Sequence, residues 1–580
     1  VARKVGQLAL GGLGALLRFW AMVSVVAPVA AQNAPPVAPA RIIEEGLRRE
    51  TQRLQEQPSE PARDALQPPG PKAVVGEIPR ETPCFDIQRI ELSGPMVEKF
   101  EWLRDAAKPW LQSCLGVQGI RQLASALDGA LLEAGYATSK VTLPPQNLTD
   151  GTLHIQLHAG RIAAVEGERG LFWEGAFPIA SGDLLNVRNL DQGVEQMNRL
   201  SSRVVQTQLE PGQEPDTSVV RIVSKPTGSR LRGGLTLDNS GSPALGRPQL
   251  SANVAFDNPT GLNDLISASV NTNLKNPGAD HRSQSLGLSY SIPWGYNLFT
   301  LSANATRFAQ QVQLTTASVT SSGRSHGIDL RWDRTVWRNQ SSKMGLFGGV
   351  SIRRARSFID DVELVVQNRR NSFANLGLNY KHLFRRASLD AELSFRKGMG
   401  WFGAEPDYDR QISLGLTLRP QIWNASVALD VPDLLNRRAS AQPGQAVRPI
   451  GLRSSVRLQY TKDTTLTLDQ FSIGSRGTVR GFDGTSTLLA ESGFAWRNEL
   501  TMPLQIGSLP AMGYLAVDIG RVWGPSSAQL IGRHLAGVAL GVRSQWRQIH
   551  LDLVLAMPIA KPSGFRSARV SPYMSLTYAF

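Results

Sequence analysis

From about Leu231 to Phe580 the chain shows no helical periodicity, and its apolar residues recur at every second position. Leu250, Ala252, Val254 and Phe256 alternate with Ser251, Asn253 and Asp257; Ala374, Leu376, Leu378 and Tyr380 alternate with Asn375, Gly377 and Asn379. Leu389, Ala391, Leu393 and Phe395 alternate with Asp390, Glu392, Ser394 and Arg396, and Ile412, Leu414, Leu416 and Leu418 with Ser413, Gly415 and Thr417. Successive side chains of a strand point to opposite faces, so each run predicts a strand with one apolar and one polar or small face. A soluble sandwich alternates in the same way, yet it has little use for charges on so many strand faces across about 350 residues without a helix. A transmembrane β-barrel accounts for both: one face meets lipid, the other a wet lumen, and closure leaves no unpaired backbone in hydrocarbon. At about 20–24 residues per strand and connection the stretch predicts about sixteen antiparallel strands, enough to enclose an aqueous channel. Ser571–Phe580 fits a closing strand, with Met574, Leu576, Tyr578 and Phe580 sharing a face.

Upstream the pattern changes to small α/β units. Phe85–Leu92 alternates as a strand, Ile120, Leu123, Leu127 and Leu131 recur at helical spacing before Gly135, and Val141–Leu143 and Leu153–Leu157 complete strands before a break at Gly160. A second unit of similar length starts at Ile162, carries a helix through Leu190, Val194, Met197 and Leu200, and ends on Ser218–Val223. Two strand-first units in succession predict a tandem repeat over residues 83–160 and 161–226, ahead of a barrel over 227–580. The aromatics Phe172, Trp173 and Phe177 read as core of the second small domain rather than as a binding surface.

Before these units, Ala40–Gln57 places Ile43, Leu47 and Leu54 near one face of a polar helix. Its apolar stripe is too thin to cross lipid or build a core, which leaves a solvated spacer or a segment lying in a wet cavity, assigned to residues 32–57. Pro58–Pro83 holds seven prolines and reads as an extended tether over residues 58–82. At the start, Arg3 and Lys4 precede an apolar run that ends in Val29-Ala30-Ala31. This predicts a secretory signal over residues 1–31; an uncleaved anchor helix would hold Arg18 in its middle, at a cost of about 2.5–3.5 kcal/mol. Export implies an oxidising space, in which the only two cysteines, Cys84 and Cys114, read as a structural disulfide rather than a zinc pair, which would want more ligands at close spacing.

Composition narrows the function. A mean hydropathy of −0.18 excludes a helical membrane bundle. The formal charge of +14 arises from scattered arginines without a basic, aromatic-interleaved run, so it reads as solvated lumen and surface, with no nucleic-acid partner. No G-x-S-x-G elbow, H-E-x-x-H helix, phosphate-binding glycine loop or Cys/His cluster is present, and the 7 histidines, His154 and His158 included, are scattered. The expectation is no catalytic site, no cofactor and no metal.

Five segments carry a family resemblance. Cys84–Gly94, Gly135–Leu148 and Asn189–Ser201 resemble the paired POTRA domains of two-partner secretion transporters, the TpsB type of the POTRA-barrel superfamily. Val479-Arg480-Gly481-Phe482 is similar to that superfamily's VRG(F/Y) loop motif, and Val517-Asp518-Ile519-Gly520 to its partner strand motif. The resemblance covers essentially the whole mature chain in the same order. It implies a bacterial outer-membrane protein with POTRA domains in the periplasm, a plug formed by the amino-terminal helix, and a sixth extracellular loop folded back into the lumen. It also implies export of a large, largely unfolded TpsA-type exoprotein, whether adhesin, haemolysin or contact-dependent toxin. Tyr578 and Phe580 would be read by the barrel assembly machinery, and outer-membrane lipid would surround the wall. With Leu515, Val517 and Ile519 facing lipid, Asp518 would face inward and meet Arg480. The alternatives are an assembly insertase of the same superfamily, acting on other barrels, and a passive porin or adhesin needing no periplasmic partner.

Overall fold

The computed structural model describes residues 78–168, 170–275, 278, 280–313, 318–409, 415–435 and 449–580. The signal, the plug helix and most of the tether expected from the sequence lie outside these residues.

In the first small module a three-stranded sheet places Thr152–His158 between Arg89–Ser93, to which it runs parallel, and Lys140–Thr142, to which it runs antiparallel. Helices α1 (Leu103–Ala107) and α2 (Val117–Glu133) cover it. Leu123, Leu127 and Leu131 form the buried stripe of α2 and meet Ile155, Leu157, Phe100 and Trp110. Glycine ends α2 for a conformational reason. Gly135 adopts φ +97°, its N–H donates to the Leu132 carbonyl, and the Tyr136 N–H reaches back to Leu131, which together satisfy the last carbonyls. The expected strand Phe85–Leu92 is split in two: Phe85–Ile87 pairs separately with Ser113–Leu115, because the Gln88 and Arg89 N–H groups both turn to the Gly151 carbonyl. Cys84 and Cys114 are joined by a disulfide beside that pair.

The second module repeats the order. Thr217–Pro226 lies parallel to Arg161–Gly167 and antiparallel to Arg203–Pro211, under α3 (Val187–Asn198), so each sheet runs first strand, last strand, penultimate strand. Asn186 caps α3 by accepting from the Arg188 N–H. Phe177 is in the core with Ile162, Leu190, Met197 and Val220, and Trp173 is half-buried against it, whereas Phe172 is not part of that core.

The barrel strands are numbered β1 (Leu231–Asp238), β2 (Gln249–Asp257), β3 (Leu265–Asn273), β4 (Arg282–Trp294), β5 (Asn297–Gln313), β6 (Ser318–Arg338), β7 (Ser342–Ile359) and β8 (Arg369–Leu383). They continue as β9 (Ser388–Met399), β10 (Gln421–Val431), β11 (Gly451–Tyr460), β12 (Ser492–Ile506), β13 (Leu509–Trp523), β14 (His534–Trp546), β15 (Ile549–Ala560) and β16 (Ser571–Ala579). Each pairs antiparallel with its neighbour in sequence, and β16 closes the 16-strand barrel on β1, from Ser575 opposite Asp238 to Ala579 opposite Gly234. The polarity is inverted relative to a soluble protein. Val254, Phe256, Leu376 and Leu378 stand exposed on the outside, while Gln249, Ser251 and Asp257 are buried on the inside. On β16 the outward residues are Met574, Leu576 and Tyr578, with Phe580 exposed just beyond.

One expected wall strand is not among the barrel strands formed by the described residues. Within Ile412–Leu418 the described residues Leu416 and Thr417 form a short parallel pair with Thr464 and Thr465, outside the barrel sheet. Asp407 holds this loop by accepting from the Thr417 hydroxyl and the Leu418 N–H, and Leu418 is buried rather than turned to lipid. Leu418 is thus packed against protein, where an apolar side chain also gains by leaving water.

Candidate functional site

The second module sits against one rim of the barrel, and residues 461–491, the connection between β11 and β12, start from the other. That connection does not extend away. Phe471–Ile473 and Leu488–Ala490 pair as a small antiparallel hairpin inside the barrel, whose core contains Phe471, Ile473, Val479, Phe482, Leu488 and Val522.

At its tip stand the four motif residues. Arg480 is 6% exposed and Asp518 fully buried. The Arg480 Nε and Nη2 donate to the two Asp518 carboxylate oxygens, each at 2.7 Å, and the Arg480 backbone N–H donates to the same carboxylate at 2.9 Å. The planar guanidinium fork suits this bidentate geometry, as a lysine would not. Nη1 donates to Glu499 at 2.7 Å, and Nη2 to the Asn498 carbonyl at 3.1 Å. Glu499 is in turn held by Arg543 of β14, whose Nη2 donates to it at 3.0 Å. Asp518 lies five residues from the loop-side end of β13 at Trp523, so the contact is about 17 Å along the strand from that end. Leu515, Val517 and Ile519 on the same strand are exposed outward, the alternation that turns Asp518 in.

Close approach of loop and wall depends on glycine, as Gly537 and Gly520 show. A Cβ on Gly537 of β14 would lie 1.8 Å from the Arg480 carbonyl oxygen, and one on Gly520 would lie 2.9 Å from methyl carbons of both Ile473 and Val479. Phe482 is wholly buried edge-on to Phe565, and its carbonyl accepts from the Tyr573 hydroxyl at 2.9 Å. Asp483 accepts from Arg247 at 2.9 Å. The structure thus brings Val479, Arg480, Gly481, Phe482, Asp518 and Gly520 together, and adds Glu499, Arg543, Gly537 and Tyr573. Cys84 and Cys114, in the first module, and Tyr578 and Phe580, on the outer wall, belong to other parts of the molecule.

At the opposite rim α3 joins the wall through polar contacts. Gln192 and Gln196 are buried and donate to the Gly295 carbonyl. Glu195 accepts from Arg338 at 3.2 Å and pairs with Lys343. Arg199 reaches the Asn263 carbonyl at 2.8 Å and the Ser291 hydroxyl at 2.6 Å. Burial pushes the Arg199 guanidinium down to about 10, opposed by the Asp257 and Asp264 carboxylates, so it stays charged near neutrality. Between α3 and the inner wall lies a cavity of about 710 Å³ whose lining mixes charges, with Glu195, Asp333 and Glu392 among Arg331, Lys343 and Arg497. The two modules meet at His158, which bonds Asp216 through Nδ1 and Thr142 through Nε2, each at 3.0 Å.

A closed barrel with an inward arginine-anchored loop, entered through a tandem of POTRA modules, defines an outer-membrane translocator of the POTRA-barrel superfamily. Residues 216–544 match the family model of the haemolysin secretion/activation proteins ShlB/FhaC/HecB, residues 85–160 the ShlB-type POTRA domain, and residues 156–211 a further POTRA domain. The chain is 32% identical over 595 residues to the outer membrane transporter CdiB-2 of Burkholderia pseudomallei (strain 1026b), covering 98% of this chain and 99% of the relative. It is 26% identical over 482 residues to the hemolysin transporter protein ShlB of Serratia marcescens, with 82% of each covered. The solved structure of CdiB from Escherichia coli has the same fold, with TM-score 0.80 at 24% identity over 95% of this chain and 100% of that one. The protein belongs to the haemolysin secretion/activation family: a two-partner secretion transporter of the outer membrane, with its POTRA domains in the periplasm.

Proposed function

We propose that the protein moves one large, largely unfolded TpsA-type exoprotein through the barrel lumen, without a catalytic step of its own, and that the position of the inward loop governs passage. The observation that carries this reading is the buried Arg480–Asp518–Glu499 contact, which holds the loop tip inside the space that cargo must cross. Cargo enters past the POTRA domains as an extended chain. Arg89–Ser93 is an edge strand of the first sheet and can accept a further strand through main-chain hydrogen bonds. No nucleotide is needed: folding of the exoprotein outside removes it from the transit equilibrium and biases movement outward.

Residues 1–31 serve in this scheme as the export signal, 32–57 as a lumen plug and 58–82 as its tether. Deleting residues 34–57 raises channel conductance in planar bilayers, and unchanged conductance rejects the plug. The central reading is tested by co-expressing the chain with a TpsA-type exoprotein in a host lacking both. Surface appearance of the exoprotein that depends on this chain supports it. Equal export without the chain, or retention in the periplasm despite a fully assembled barrel, refutes it.

A further inference from the structure

The outer wall carries a feature that transport does not use. On β5 to β8 the outward face is marked by exposed Leu301, Leu330, Leu346 and Leu376. Toward the loop-side rim the same alternation ends in exposed basic residues: Arg307 on β5, His326 and Arg324 on β6, Arg354 and Arg356 on β7, and Arg370 on β8. Strand register sets them side by side. Arg307 is opposite Arg324 and Arg324 opposite Arg356, while Arg354 is opposite both His326 and Arg370. With neighbouring strands about 4.8 Å apart, four strands present this patch across about 14 Å.

Like charges directly opposite on a sheet repel. The protein offers little to offset this. Glu363 approaches Arg356 only to 3.8 Å, Arg370 donates to the Gly403 carbonyl at 3.4 Å, and Arg324 lies over the Phe358 ring. Among the described residues no carboxylate pairs with Arg307, Arg324 or Arg354. The cluster also has a fixed depth, immediately beyond the apolar band on the side away from the POTRA domains.

We propose that this patch binds the phosphate groups of a phosphorylated glycolipid of the outer leaflet, whose acyl chains lie on the apolar band below it. Guanidinium forks match phosphate oxygens bidentately, and an anion placed between the two rows relieves the repulsion within and between them. A freely diffusing anion would satisfy the charge alone. A lipid satisfies the charge and the exposed apolar surface below it together, which is why the lipid is the assigned occupant.

The test is native mass spectrometry of the full chain released from detergent, with bisphosphorylated lipid A, its dephosphorylated form or inorganic phosphate added. The intact protein retains the bisphosphorylated lipid. Substituting Arg324→Gln, Arg354→Gln and Arg356→Gln together lowers retention at least about tenfold. Removing three charges at the opposite rim by Arg385→Gln, Arg386→Gln and Arg547→Gln leaves it unchanged. Should the patch variant fail to show the heat-modifiable mobility of a folded barrel, Arg324→Gln alone is measured, with about a threefold loss expected. Equal retention by a folded patch variant overturns the proposal, as does equal loss in the opposite-rim variant. Equal retention of the dephosphorylated lipid, or displacement by equimolar inorganic phosphate, overturns it too, the latter by making the patch a site for free anions.

Discussion

Replacing Arg480 by alanine tests the buried anchor directly. The substitution removes the bidentate contact to Asp518 and the bond to Glu499, but the two carboxylates are not left in the same state. Glu499 keeps Arg543 at 3.0 Å, whereas Asp518, fully buried, keeps the Asn498 N–H at 3.4 Å and Arg497, whose Nε is 3.8 Å away. Breaking a buried pair by removing one partner costs about 3–5 kcal/mol, most of it the uncompensated charge. At about 1.4 kcal/mol per factor of ten, the docked loop loses about 10²- to about 4 × 10³-fold in population relative to the released one. Because the native cysteines are joined to each other, a single Ser472→Cys, buried in the loop hairpin, can report that population through its reaction with a membrane-impermeant maleimide on intact cells. Labelling should accelerate by about 10² or more in the Arg480→Ala background, until it reaches the rate of an open thiol, and exoprotein release should fall sharply while barrel abundance stays normal. Asp518→Ala should behave alike, and the double variant should cost less than the sum of the singles, since both changes delete one contact. Unchanged labelling together with unmodified secretion from a normally abundant barrel would refute the reasoning.

Other outcomes follow from the same geometry. Gly537→Val, which puts a side chain into the Arg480 carbonyl, should release the loop as Arg480→Ala does, read by the same labelling, with heat-modifiable mobility retained. Tyr573→Phe removes one hydrogen bond to the Phe482 carbonyl, worth about 0.5–1.5 kcal/mol, and should raise labelling by no more than about tenfold. Reducing the Cys84–Cys114 bridge, whose sequence separation is 30, should destabilise the first POTRA domain by about 3–4 kcal/mol, visible as earlier proteolysis of that domain alone. Glu81 accepts the Gly119 and Gln118 N–H groups at the start of α2, and these bonds hold its carboxyl below the usual glutamate range. The cap therefore contributes fully above about pH 4.5 and is lost as pH falls through the lowered value, so the difference in proteolytic resistance between wild type and Glu81→Gln should be constant near neutrality and close only in acid.

The barrel was legible because lipid enforces one rule along every wall strand: positions such as Val254, Leu378 and Leu515 must be apolar, and their neighbours are relieved of that demand. The same rule misplaced Leu416 and Leu418, since alternation records two unlike environments and does not say whether the apolar one is lipid or the protein's own packing. Arg203–Pro211 escaped notice because the edge strand carries Gln206, Thr207 and Gln208 in its middle, which dilute its pattern. Arg480 and Asp518 could be paired from motif residues, but Glu499, Arg543 and Gly537 could not. They become neighbours through the register of β12, β13 and β14, which the closed sheet imposes and no spacing along the chain announces. Gln192 and Gln196 went unread for a related reason: polar residues on a helix signal water until a rim carbonyl takes its place.

The loop tip also has a direction along the chain. The partners that hold Arg480 and Phe482, namely Asn498, Glu499, Asp518, Phe565 and Tyr573, all follow the tip in the chain, and the wall it touches at Gly537 does too. A nascent or truncated chain that stops short of β13 possesses the arginine but not the carboxylate that seats it. Seating of the loop therefore depends on the carboxy-terminal strands, and a transporter whose final strands are missing or misregistered is left with its gate unlatched.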